Sequence, residues 1–424
     1  MKKVILISLI ASSMMVAGGD IGADVERIIQ NPMPVASGWD FDGNAVFYYQ
    51  TVVDGTNTIF SNASAHNNAG LQLRATNKDI FLGIGTGIEL TALSTFGAIS
   101  DGNMQTAGVY TDNIGGALTQ GYLTYSIFNT NIKVGRQQLP KSLSPFAFTE
   151  NWAPLKNTFD SALFVNSSIP NTTLVYAYVT KANSSFGDLA TFNDLNGNDG
   201  IHMVTAQNKS INGLTLTGSY YYGANFADNN LGLNTANPLS IVWGDARYKI
   251  SDYTVAFQGG SMMDNDFTSN TLAYGAKISA DYGIFDTSIA YSSVDAGDTS
   301  SSRLGGLTNT GGVKTPLYTQ MILNQNVIRK DSQTIVARVG TKALGGKFNL
   351  AVDYSTNGVN AINSATKTGA TPVAVNDTYI ESDLTYTTQA TKNTKLFAGY
   401  MYAKPSNAQD ATSVLRVWAK YNFK

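Results

Sequence analysis

The chain has 424 residues, carries 28 Lys and Arg against 30 Asp and Glu, and is only 14% charged. That balance excludes nucleic acid as a partner, because there is no basic excess to neutralise phosphates. The lack of cysteine excludes disulfides, thiolate metal sites and an N-terminal lipid acceptor.

Lys2 and Lys3 precede an apolar stretch from Val4 to Val16, followed by small residues. This reads as a secretory signal over residues 1–19, with cleavage after Gly19 or, as a second choice, Ala23. Residues 20–37 form a short pre-barrel segment that Pro32 and Pro34 interrupt. Past the signal no run of about 18 apolar residues occurs, so a helical membrane protein is excluded. From Gly38 to Lys424 the chain is read as a single domain.

That domain alternates at period 2, which is the signature of strands. Leu71 and Leu73 oppose Gln72 and Arg74, and Ile88 and Leu90 oppose Glu89. Leu123, Tyr125 and Ile127 oppose Tyr122, Thr124 and Ser126, and a turn at Asn129-Thr130 leads into Ile132 and Val134 around Lys133. The same alternation returns around Tyr176, Tyr220, Arg247, Phe257, Lys277, Ile289, Arg338, Leu350, Asp383 and Tyr400. It ends in Ser413 to Lys424, where Leu415, Val417, Ala419, Tyr421 and Phe423 share one face and Arg416, Trp418 and Lys420 share the other. Strands about ten residues long, apolar on one side and polar on the other, suit lipid outside and water inside. Tyr near their ends suits an interfacial girdle. Short turns alternate with long polar connections at 222–240, 295–317 and 356–378. An open sheet of this size would leave edges and an unburied apolar face, and closure removes both. The expected fold is therefore all-β: a closed antiparallel transmembrane β-barrel of roughly 16–18 strands, 18 preferred.

Arg136 to Ser168 breaks the rhythm. It holds Pro140, Pro145 and Pro154 and a dense apolar set: Leu143, Phe146, Phe148, Trp152, Leu155 and Phe159. A loop this apolar is read as folded into the barrel, forming an inward constriction loop over about residues 137–160. Here the sequence resembles a known family. Gly135 to Pro140 (GRQQLP), followed by Pro154 to Lys181, is similar to the OprD-type outer-membrane porins. The run from Leu123 to Leu139 is similar to the major outer-membrane porins of campylobacters. The resemblance implies 18 strands, a homotrimer, and a constriction formed by the loop against a row of basic wall residues.

Position next to or on the loop nominates Arg136, Lys141, Glu150, Lys156 and Asp160 for the constriction. Strand parity alone nominates Arg74, Lys133, Arg247, Lys277, Arg338, Arg416 and Lys420 for the basic wall, with Glu381 and Asp383 as opposing acids. Opposed charge rows across a narrow aqueous pore set a transverse field that orients and selects solutes.

These readings point to a porin in the cell outer membrane, a passive channel for ions and small polar solutes. The lipid bilayer is its surroundings, and Ser413 to Lys424 is the strand that barrel-assembly machinery would engage. No catalytic residue, metal or cofactor is expected. S-x-x-K and K-T-G share Lys367 in a polar loop, although in penicillin-binding enzymes these motifs lie on separate elements. His66 and His202, the only two histidines, lack a nearby His or Cys for metal binding. Two other readings remain open at this level: an outer-membrane barrel hydrolase, whose base would be one of those histidines, and a secreted β-rich adhesin.

Overall fold

Alternating apolar and polar side chains are satisfied here by a sheet that closes on itself. In a computed structural model the chain forms 18 antiparallel strands in one ring. The structure describes residues 38–53, 58–59, 64–94, 116–149, 153–183, 189–197, 199–228, 233–264, 270–295, 315–323, 332–356, 378–406 and 410–424. The readings for residues 1–37, and that for Glu150, lie outside them.

The strands are β1 Trp39–Val53, β2 Ala65–Phe81, β3 Ile84–Ser94, β4 Ala117–Ile127, β5 Thr130–Gln137 and β6 Phe159–Asn166. They continue as β7 Thr172–Ala182, β8 Ile201–Asn208, β9 Leu214–Asp228, β10 Leu233–Ile250, β11 Tyr253–Asp264 and β12 Thr271–Asp281. The last six are β13 Phe285–Val294, β14 Ser332–Ala343, β15 Gly346–Thr356, β16 Thr378–Gln389, β17 Thr394–Pro405 and β18 Thr412–Phe423. Each strand pairs with its sequence neighbours, and β1 closes the ring on β18, from Gly43 opposite Phe423 to Val53 opposite Ser413. A two-residue bridge, Asn193–Asp194, also pairs with the end of β7.

Two strands raise the count to 18. β6 lies inside the stretch that looked irregular, and β8 lies in a region with no distinct sequence signal. The polar run 222–240 proves not to be a long loop, since β9 and β10 extend through most of it. One turn also moves by a residue: Phe128 and Asn129 take the corner at φ 46° and 59°, and Thr130 already belongs to β5. Positive φ at both corner residues is the two-residue hairpin geometry that matches strand twist.

The outer surface is an apolar band in which Leu73, Leu90, Leu123, Val134, Phe257, Ile278 and Leu350 stand exposed. Nothing inside a soluble fold covers that band; a bilayer does. The inner surface carries the polar half of each strand together with segments of two connections, and these segments position the site.

Candidate functional site

The connection between β5 and β6 turns into the lumen because its apolar side chains have nowhere else to go. Leu139, Leu143, Phe146, Ala147 and Phe148 are all buried. Its first half is wound by turns, with Ser144 N–H donating to the Pro140 carbonyl at 3.0 Å and Thr149 N–H to Leu139 at 2.8 Å. Phe146 stands edge-on to Tyr221 of β9 and Trp243 of β10, each at 5.4 Å between ring centres. The Phe146 N–H donates to the Tyr221 hydroxyl at 3.1 Å. Near its other end, Leu155 packs among Val46, Leu93, Phe397 and Trp418, and Lys420 Nζ of β18 donates to the Pro154 carbonyl at 3.3 Å. β9 and β18 lie half a ring apart, so the connection is anchored on opposite sides of the lumen.

A second segment, Thr315 to Leu323, lies against the inner wall between β13 and β14 in sequence. Leu317, Met321 and Ile322 are fully buried. The Arg338 guanidinium donates to the carbonyls of Tyr318 at 3.0 Å and Gln320 at 2.9 Å. Asp383 accepts from Ile322 N–H at 3.0 Å, and Glu381 accepts from Leu323 N–H at 2.7 Å. The Tyr318 hydroxyl donates to Asp245. Burial holds the Tyr318 phenol well above its ordinary range, so it stays a donor. Lys141 joins the two segments by donating to the Thr315 carbonyl at 3.0 Å.

Below both segments, toward the short turns, lies a cavity of about 700 Å³. Lys141, Trp243, Asp245, Arg247, Lys249 and Lys277 are among its lining. Arg247 is paired with Asp245 at 2.8 Å.

The residues nominated from sequence divide into three groups. Arg74, Lys133, Lys141, Lys156, Arg247, Lys277 and Lys420 are on the lumen side, and Arg416 faces the same way but is only 4% exposed. Arg74 bridges Asp42 at 3.2 Å and Glu89 at 3.1 Å, Lys133 lies 3.7 Å over the Tyr122 ring, and Arg416 donates to Gln50 at 3.0 Å. Lys156 sits close enough to Lys395 and Lys420 for mutual repulsion.

Arg338, Glu381 and Asp383 face inward but are covered. They are 4%, 0% and 1% exposed beneath the segment at 315–323, so they hold protein backbone and do not line open water.

Arg136 and Asp160 are corrected to the other side of the wall. Phe159, Ser161, Leu163 and Val165 of β6 are buried on the lumen side, which turns Asp160 outward. Its register partner Arg136 follows it, continuing the outward face of exposed Val134. The two form a bidentate pair at 2.8 and 3.0 Å, with Phe192 stacked on the guanidinium at 3.4 Å. Proximity in sequence to the constriction loop misled the assignment, and strand parity would have corrected it.

Sequence reasoning missed Asp42 and Tyr318, and left Glu89, Asp245 and Lys395 as polar-face residues without nominating them for the site. Alternation with Leu396 already marks Lys395 as inward-facing. No local pattern marks Tyr318, which stands in a polar connection.

No protein-family model matches the chain, and no curated protein matches it. Solved structures do. The crystal structure of Pseudomonas aeruginosa OccK1 (OpdK) superposes with a TM-score of 0.67 at 13% identity, over 91% of this chain and 98% of that one. Acinetobacter baumannii OccAB2 gives 0.65 at 16% identity, over 91% and 98%. Pseudomonas aeruginosa OccD3 (OpdP) gives 0.67 at 12% identity, over 96% and 99%. The fold is thus that of the OprD-type barrels.

Proposed function

We propose that the chain is an outer-membrane porin: a passive diffusion channel for ions and small polar solutes, with a preference for anions. The observation that carries this is the cation group Lys156, Lys395 and Lys420. Lys395 and Lys420 are direct register partners on the lumen face, and Lys156 reaches the same region from the inward connection. Like charges placed opposite one another cost stability. A water-filled lumen that concentrates anions gives that cost a use. One of the similar structures is described as the outer membrane protein OpdK, and OpdK was also solved with vanillate. A small carboxylate is accordingly the first solute class to try.

The outer-membrane location follows from the lipid-suited band and the barrel closure. Export through the signal at 1–19, trimer assembly and recognition of Ser413 to Lys424 by assembly machinery belong to the same proposal. A hydrolase reading finds little support. His66 pairs in register with lumen-facing Gln50, whereas His202 stacks against Tyr178 on the outward face, so the two are separated by the wall.

The test is single-channel current from detergent-purified, folded protein in a planar bilayer under a salt gradient. Discrete ohmic steps with an anion-selective reversal potential are the expected result. A folded barrel that inserts and passes no current would overturn the porin reading, and a cation-selective potential would overturn the assigned role of the lysines.

A further inference from the structure

The Thr315 to Leu323 segment is fixed almost wholly by side chains of the wall. Arg338 of β14 holds two of its carbonyls, Asp383 and Glu381 of β16 hold two of its N–H groups, and Thr319 meets Ser292 of β13 through their hydroxyls at 2.5 Å. None of its backbone belongs to the ring of strands. The attachment is a set of separable contacts and not a sheet ladder.

Two of the anchoring side chains are incompletely satisfied. Among the described residues, Arg338 Nε and Asp383 Oδ1 are buried with no hydrogen-bond partner. Such atoms are costly in a low-dielectric site. They belong to groups of opposite charge lying in one row. Arg338 is the register partner of Ala351 on β15, and Ala351 is the register partner of Asp383 on β16. Two strand spacings separate their Cα atoms, about 10 Å, with only the small Ala351 side chain between. An arginine and an aspartate close such a span between them.

We propose that Thr315 to Leu323 is a displaceable strap, and that Arg338 and Asp383 are a two-state latch. With the strap seated, both grip its backbone. With the strap displaced, they pair directly across Ala351, Glu381 keeps the Tyr379 hydroxyl, Asp353 keeps the Glu381 N–H, and the lumen widens. Two discrete arrangements of one packed element are what a gate requires. The buried Leu317, Met321, Ile322 and Leu323 make the seated state the resting one. Widening as a gating event rests on the channel reading above; strap displacement itself does not.

The chain has no cysteine, so introduced thiols report alone. Thr319→Cys, buried when the strap is seated, is treated with a polar maleimide in the folded, heat-modifiable barrel. The expected result is slow but complete labelling without unfolding. Adding the charge swap Arg338→Asp with Asp383→Arg removes both grips on the strap yet keeps the direct pair, and raises the labelling rate at least tenfold. Labelling that occurs only on unfolding overturns the proposal, as does a folded swap variant with an unchanged rate.

Should the swap fail to fold, Ser292→Cys with Thr319→Cys closes a lock in the otherwise native chain. Reduced protein shows brief, larger current steps that vanish on oxidation, with thiol titration confirming the bond. Identical current histograms in the two redox states overturn the gate. No current in either state, with labelling as expected, defeats the channel reading and leaves the strap standing.

Discussion

Lys395 and Lys420 face each other directly across β17 and β18, both turned into the lumen. With Lys156 they gather three cations on one side of the inward connection. Glu89 offsets part of their mutual repulsion, an anion in the lumen would offset the rest, and this gives the first prediction. Lys420→Glu pairs with Lys395 and cuts the charge of the group from +3 to +1. The anion-to-cation permeability ratio, read from the reversal potential in a salt gradient, is expected to fall about threefold or more, and more steeply at low salt. An unchanged ratio would place the selectivity elsewhere.

Phe146 is the anchor of the inward connection, held between Tyr221 and Trp243. Phe146→Ala empties that aromatic slot. Cavities of this kind cost about 3–5 kcal/mol in packed cores. Part of that cost is expected as a lower urea midpoint for unfolding. Because the anchor also fixes the connection across the pore, single-channel conductance should rise and its current noise should grow.

Glu89 is the hub of a polar network on the inner wall. It accepts from Arg74 at 3.1 Å, Gln72 at 3.3 Å and Thr119 at 2.8 Å. Glu89→Ala leaves these groups facing one another without their acceptor; because Arg74 is a third exposed and keeps Asp42, the loss falls below the roughly 3–5 kcal/mol of a fully buried broken pair. Glu89→Gln retains two acceptor sites and should lose clearly less. Paired denaturation curves of the two variants check the order. Both changes remove a lumen acid, so both should raise the anion preference.

Gly135 takes φ +122°, and a Cβ there would clash with the Gly121 carbonyl oxygen. The position needs glycine on both counts. Gly135→Ala is expected to destabilise the barrel by more than about 1 kcal/mol. It should also loosen the β4–β5 pairing that leads into the constriction. Refolding yield into detergent, scored by heat-modifiable migration, measures the effect.

Much of the fold was legible in the sequence, because a lipid-facing strand announces itself residue by residue. Leu71 and Leu73 alternate with Gln72 and Arg74 whatever the rest of the chain does, and two solvents on two faces leave a strict period. Closure followed from the same fact, since an apolar band with free edges has no stable soluble form. The inward path of the β5–β6 connection was legible too, in its density of Phe and Leu.

Side-chain destination was less legible wherever an element ended or a chain segment folded back. Arg136 and Asp160 stand beside the inward connection in sequence and outside the wall in space, because β6 begins earlier than its irregular surroundings suggest. Parity turned Arg338, Glu381 and Asp383 inward but nominated them as pore-wall charges, and they are covered. Their covering by Thr315 to Leu323 depends on contacts between residues far apart in the chain, and no local period records those.

The sequence by itself determined the barrel, its inside and outside, and the end that carries short turns, since each rests on period 2 and on turn chemistry within a few residues. Only the tertiary structure decided which lumen charges meet water, which hold backbone, and where Lys156, Lys395 and Lys420 converge. Ring closure brings distant strands and folded-in connections together, and the balance of burial and charge at those meetings is not written in any one stretch of chain.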